Sequence, residues 1–168
     1  MSKFQPAAYS PFHILLHWVI AALILFQLIF GESIEGLKDA LRDGGTPDTA
    51  TAFMGNAHIW VGIAILALTV IRLLVRTVSG VPAPLPSSKP QELAAKGAHI
   101  LLYLLMIGAP VTGLLAWYGG IHTAEEVHEV AKPLFIILIA LHVLGALYHQ
   151  LALKDGSLTR MVTSRARG

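Results

Sequence analysis

The chain has no cysteine. Disulfides, iron–sulfur clusters and thiolate metal sites are therefore outside its chemistry. Charge is scarce as well. Asp, Glu, Lys and Arg make up 13% of the 168 residues, whereas apolar residues make up 55% and the mean hydropathy is +0.66. So little polar surface cannot cover a water-soluble globule, and the composition predicts a chain embedded in membrane lipid. The net charge of +2 is small, and the basic residues sit at the edges of apolar runs rather than in one patch. That distribution speaks against nucleic acid as a partner.

Long apolar runs and histidine are what the sequence does have. Four runs long enough to cross a bilayer lie at about residues 12–30, 56–76, 94–118 and 126–153. His13, His17 and Trp18 within the first run mark it as a retained span rather than a cleaved leader. Gly31 to Gly55 reads as a loop with a short helix around Ile34 to Leu41, and Thr77 to Pro90 as an extended, proline-rich linker. Pro110 and Gly113 are expected to bend the third run, and Trp117 and Tyr118 to mark its interfacial end. Lys3, Arg72, Arg76, Lys96, Lys154, Arg160, Arg165 and Arg167 flank the start, the second connection and the tail, whereas the first and third connections are acid-rich. The excess of cations places both termini in the cytoplasm. The expected fold is all-α, an integral membrane four-helix bundle forming a single domain over residues 1–168.

The eight histidines carry the chemistry. His128 and His142 share the fourth run, and at 1.5 Å per residue they stand about 21 Å apart on nearly one helix face. One helix thus offers an imidazole towards each side of a membrane. Chain direction sorts the others by depth. His58 opens the second run and matches His128 on the outer side, while His17 lies in the inner half with His142. Facing imidazoles from two helices are the axial ligands of a low-spin haem b. No Cys-x-x-Cys-His motif supplies a covalent link, and no carboxylate lies at span depth to complete a zinc or di-iron site. The reading is two non-covalent haems b on His17, His58, His128 and His142, with His13 and His149 as rivals at the inner end. Gly62 and Gly145, one turn from ligands, would let a flat macrocycle approach or serve helix packing. Arg72 lies fourteen residues beyond His58, on the same face near the inner pair, and suits a haem propionate. Arg76 reads as an interfacial anchor.

These residues resemble the bacterial cytochrome b561 family of four-span dihaem proteins, and through it the cytochrome b subunits of membrane hydrogenases and formate dehydrogenases. The matching stretches are LHW at Leu16–Trp18, NAHIWVGIAILALTVIRLLVR at Asn56–Arg76, HILLYLLMIGAPVTG at His99–Gly113, HE at His128–Glu129, LH at Leu141–His142 and KDGSLTRM at Lys154–Met161. Their order and spacing cover nearly the whole chain, and the family's ligands fall on His17, His58, His128 and His142.

The resemblance implies electron transfer through a bacterial inner membrane, which the best-known members perform as superoxide oxidation with ubiquinone as acceptor. Bis-histidine iron keeps no position for substrate, so electrons pass at the haem edge. His149 and His99 are the foremost quinone candidates, followed by Lys96 and Tyr103, because a quinone needs a hydrogen-bond donor and a proton. Superoxide is an anion, yet the first outer loop carries Glu32, Glu35, Asp39, Asp43 and Asp48 against Lys38 and Arg42, and Glu125, Glu126 and Glu129 near His128 face Lys132 alone. Such a field opposes superoxide and favours a basic periplasmic redox partner. Two further readings remain: a haem-bearing anchor for a partner dehydrogenase or hydrogenase, and a four-span carrier using histidine as metal ligand.

Overall fold

Ser10 opens the first helix. Its hydroxyl accepts from the His13 amide, and Pro11 fills the first turn, where a missing N–H costs nothing. A computed structural model of the chain describes residues 6, 8–83 and 85–164. Lys3, Pro84, Arg165 and Arg167, used in the sequence reading, lie outside the described residues. The helices are α1 (Pro11–Phe30), α2 (Ser33–Arg42), α3 (Thr49–Ser79), α4 (Lys89–Gly119) and α5 (His122–Tyr148), the last continued by a π-helical turn, His149–Leu153. A single 3₁₀ turn, Thr159–Met161, follows. Among the described residues there is no strand.

Four helices, α1, α3, α4 and α5 with its π turn, are long and apolar enough to cross a membrane. Their apolar side chains point outward in quantity. Leu25, Leu74, Leu104 and Leu144 are all more than half exposed, which water would penalise and lipid does not. The protein interior is a narrow seam of Ile20, Ile24, Ile65, Met106, Ala109, Ala131 and Phe135. α1 packs along α3, α3 along α4 and α4 along α5, with α2 laid over α3. Neither α1 nor α3 is closely packed against α5.

Three of the spans outrun the apolar stretches that announced them. α3 begins at Thr49, not Asn56, because the Asp48 carboxylate caps it through the amides of Ala50 and Thr51, so Thr49 to Gly55 is helix rather than loop. α4 begins at Lys89, with a Ser88–Gln91 capping box and Pro90 in its first turn. α5 begins at His122. Hydropathy does not register polar caps and polar first turns, so it set these starts too late. The linker shrinks accordingly, since α3 holds to Ser79. The third span is one continuous helix through Pro110, as α5 is through Pro133.

α2 is amphipathic and lies across one end of the bundle, with Leu37 buried. At the other end the tail folds back. The Trp18 indole donates to the Met161 carbonyl at 2.7 Å, and Arg160 donates to the Ala83 carbonyl at 2.7 Å. These are called below the α2 end and the tail end.

Candidate functional site

Each pair of histidines matched by depth in the sequence is adjacent in space. At the α2 end, the rings of His58 on α3 and His128 on α5 stand 5.8 Å apart, centroid to centroid, at 90°. At the tail end, His17 on α1 and His142 on α5 stand 6.3 Å apart at 61°. Both pairs bridge helices that are not otherwise closely packed. Two in-line imidazole–metal bonds of about 2 Å would set ring centroids about 6 Å apart. Both separations fit that requirement. His99 on α4 lies 5.2 Å from His142, inside it. Among the described residues, no three His, Asp or Glu side chains are arranged to share one metal ion. The donor set therefore suits a metal that brings its own equatorial ligands, as haem does.

The α2-end pair is held unequally. His128 Nδ1 lies 2.8 Å from the Ala109 carbonyl on α4. A carbonyl only accepts, so Nδ1 carries the proton, and in the neutral ring Nε2 keeps a free lone pair. The ring reaches this position because α4 presents Gly113 beneath it. A β-carbon there would lie 3.0 Å from Cε1 and 3.1 Å from Nδ1. His58 Nδ1 is buried without a hydrogen-bond partner among the described residues. The Gln27 side chain donates to the His58 backbone carbonyl at 2.8 Å. A β-carbon on Gly62 would lie at an ordinary 3.6 Å from Gln27 Nε2, and one on Gly145 would meet nothing within 4 Å.

At the tail end Arg72 is half-buried and donates from Nε to the Tyr103 hydroxyl at 3.1 Å, whereas Arg76 is exposed. His13 is buried, with Nδ1 3.0 Å from the Ser10 hydroxyl. His149 meets Asp155 through Nδ1 at 2.5 Å, and Asp155 also accepts from the Ser157 amide at 2.9 Å. Burial pushes the Asp155 carboxyl up, but the bonds from His149 and Ser157 prevail and hold it below its usual range. Lys96 is exposed.

The α2 end gathers the acids. Glu32 pairs with Lys132, Lys38 with Glu125 and Glu35, and Arg42 with Asp39. Lys132 holds Glu32 below its usual pKa, and Glu125 holds Lys38 above its own. Glu126 and Glu129 stay exposed beside His128. Folding therefore ties the cations to carboxylates and leaves the surface acidic.

Sequence reasoning missed the contacts that Ala109 and Gly113 make with His128, and Gln27. The one available signal was small residues a turn apart, Ala109 and Gly113, which mark a close helix approach.

The family described as prokaryotic cytochrome b561 matches residues 8–164. Cytochrome b562 of Cereibacter sphaeroides is 39% identical over 96% of this chain and 99% of its own length. A probable superoxide oxidase, CybB, of Yersinia pestis is 30% identical over 94% and 97%, and cytochrome b561 homolog 2 of Escherichia coli is 27% identical over 94% and 92%. The chain belongs to the prokaryotic cytochrome b561 family, multi-pass bacterial membrane proteins that bind haem b and carry electrons through the bilayer.

Proposed function

We propose that the chain binds two haems b, one between His58 and His128 and one between His17 and His142, and passes electrons from a one-electron donor outside the cell to membrane quinone. The observation that carries this is the doubled arrangement on α5: two imidazoles fourteen residues apart, each facing one partner imidazole at about the separation a bis-histidine iron needs. The haems would supply reversible one-electron chemistry. The protein's part is to hold them, to exclude direct substrate ligation, and to handle the charge and protons around them. Arg72, fixed by Tyr103, serves a propionate at the tail end.

Quinone reduction takes two electrons and two protons. His149 supports a site at the tail end, because Asp155 fixes its Nδ1 and leaves Nε2 to meet a quinone oxygen and pass a proton. His99 is the second contact there. The tail end faces the cytoplasm of the bacterial inner membrane, following the cations of the linker and tail, and ubiquinone is the acceptor, as the likeness to a superoxide oxidase supports. Superoxide is the candidate donor from that likeness. The acidic α2 end favours instead a basic redox protein, and its ion-paired, fixed surface also suits the second reading, an anchor for a partner dehydrogenase or hydrogenase.

An optical spectrum of the purified protein with dithionite, together with a haem count per chain, tests the reading. Two haems are expected. His128→Ala and His142→Ala should each remove one, and His13→Ala none. Retention of both haems in either of the first two variants refutes the assignment.

A further inference from the structure

We infer that α4 builds a seat for His128, with Gly113 making the room and the Ala109 carbonyl taking the ring proton, and that this seat sets the α2-end haem at a lower potential than the tail-end haem. The inference rests on the ligand assignment proposed above.

The geometry is local and unusual within the site. The His128 ring lies against the bare Cα of Gly113, where even an alanine β-carbon would stand 3.0–3.1 Å from two ring atoms. That approach brings Nδ1 to 2.8 Å from the Ala109 carbonyl. The carbonyl is shared, since the Thr112 hydroxyl also reaches it at 3.0 Å while reaching Gly108 at 2.9 Å. An imidazole that donates from Nδ1 becomes a more basic ligand at Nε2. A more basic ligand stabilises the ferric state and lowers the potential of the iron it holds.

The surrounding charges push the same way. The α2 end carries Glu32, Glu35, Glu125, Glu126 and Glu129, the last two exposed beside His128. Arg72, half-buried and donating to the Tyr103 hydroxyl, stands at the tail end. A nearby cation favours the centre that has gained an electron, and a nearby anion disfavours it. One electron therefore runs downhill from the α2 end to the tail end. No bond forms or breaks and no proton moves in that step. In the proposed orientation the transfer runs inward, against the negative interior of the cell, and the gap in potential offsets that opposing field.

A redox titration of the detergent-purified holoprotein, followed in the haem absorption bands, tests the seat. Two midpoints are expected. Gly113→Ala should keep both haems and raise the lower midpoint by about tenfold in the redox equilibrium, or about 59 mV for one electron, with the higher midpoint unmoved. Gly108→Ala, where an added β-carbon meets nothing within 4 Å, should move neither. Should Gly113→Ala shed haem, Thr112→Val gives a second reading. It removes the competing hydroxyl, so the lower midpoint should fall. A shift of the higher midpoint in either variant, or of neither midpoint in both, overturns the seat. His128→Ala separates the two levels. If it keeps both haems, the ligand assignment itself fails, whereas loss of one haem beside an unmoved Gly113→Ala midpoint defeats the seat alone.

Discussion

Leu37 of α2 presses on Gly55 of α3 so closely that a β-carbon on Gly55 would lie 2.6 Å from Leu37 Cδ2 and 2.7 Å from its Cβ. Leu37 is the buried residue of α2. The ion pairs Lys38 to Glu125 and Lys132 to Glu32, the latter just before α2, are partly exposed and of small worth. Gly55→Ala should therefore unseat α2. Overpacking of this kind costs about 1–3 kcal/mol. A thermal melt should show that loss, and limited proteolysis should show faster cleavage between α1 and α3. An unchanged melt and digest would mean that α2 is held by something other than this contact.

The exposed acids at the α2 end make the donor testable by charge reversal. Glu126 and Glu129 lie exposed near His128, with no Lys or Arg partner among the described residues; Glu126 meets His122 at 3.7 Å. Glu126→Lys with Glu129→Lys turns that rim positive. If superoxide is the donor, stopped-flow haem reduction should speed up by about tenfold at low salt, within the range of electrostatic steering. If a basic protein is the donor, its rate should fall by a similar factor. Either effect should fade as salt shortens the screening length to about 8 Å at physiological ionic strength. A rate that ignores both charge and salt would remove surface charge from the account of donor selection.

Much of the arrangement was legible from chain direction and helical rise alone. Depth follows from position along a span, so His58 against His128 and His17 against His142 could be matched without knowing how the helices pack. Azimuth does not follow. Which side of α4 faces α5 decides that Gly113 lies under His128, and that depends on side-chain packing between two separate helices. Gln27 on the backbone of His58 is invisible for the same reason. The contact between His149 and Asp155 spans the end of a helix, where the π turn and the left-handed Lys154 redirect the chain. Regular periodicity stops at that point, so no spacing rule reaches across it.

On the proposed two-haem reading, Arg72 separates the two centres by charge. It is half-buried at the tail end and fixed to Tyr103, whereas Arg76, one turn on, is exposed. Arg72→Gln removes a cation from the His17–His142 region and should lower the higher midpoint by roughly tenfold in the redox equilibrium. Tyr103→Phe, which frees the guanidinium without removing it, should do less. Arg76→Gln should leave both midpoints in place. An equal effect of Arg72→Gln and Arg76→Gln would reduce Arg72 to a surface anchor.

Asp155 offers the cleanest division between receiving electrons and handing them on. Its carboxylate fixes His149 Nδ1, far along the chain from the histidines at the α2 end. Asp155→Asn keeps the shape but not the charge, and loss of such an outer partner typically costs about 10–100-fold. Quinone-dependent reoxidation should fall by that order while haem reduction by an external donor is unchanged. The pH dependence has a definite sign. The folded Asp155 carboxyl titrates below its ordinary value of 3.8. Its contribution to the tail contact is therefore complete above that value and is lost as pH falls through the lower, folded pKa. Reoxidation should hold steady on this account from neutral pH down to about 4, then drop, and Asp155→Asn should abolish the drop. Slowed haem reduction in the variant would show instead that Asp155 supports the bundle, and the proton route through His149 would have to be abandoned.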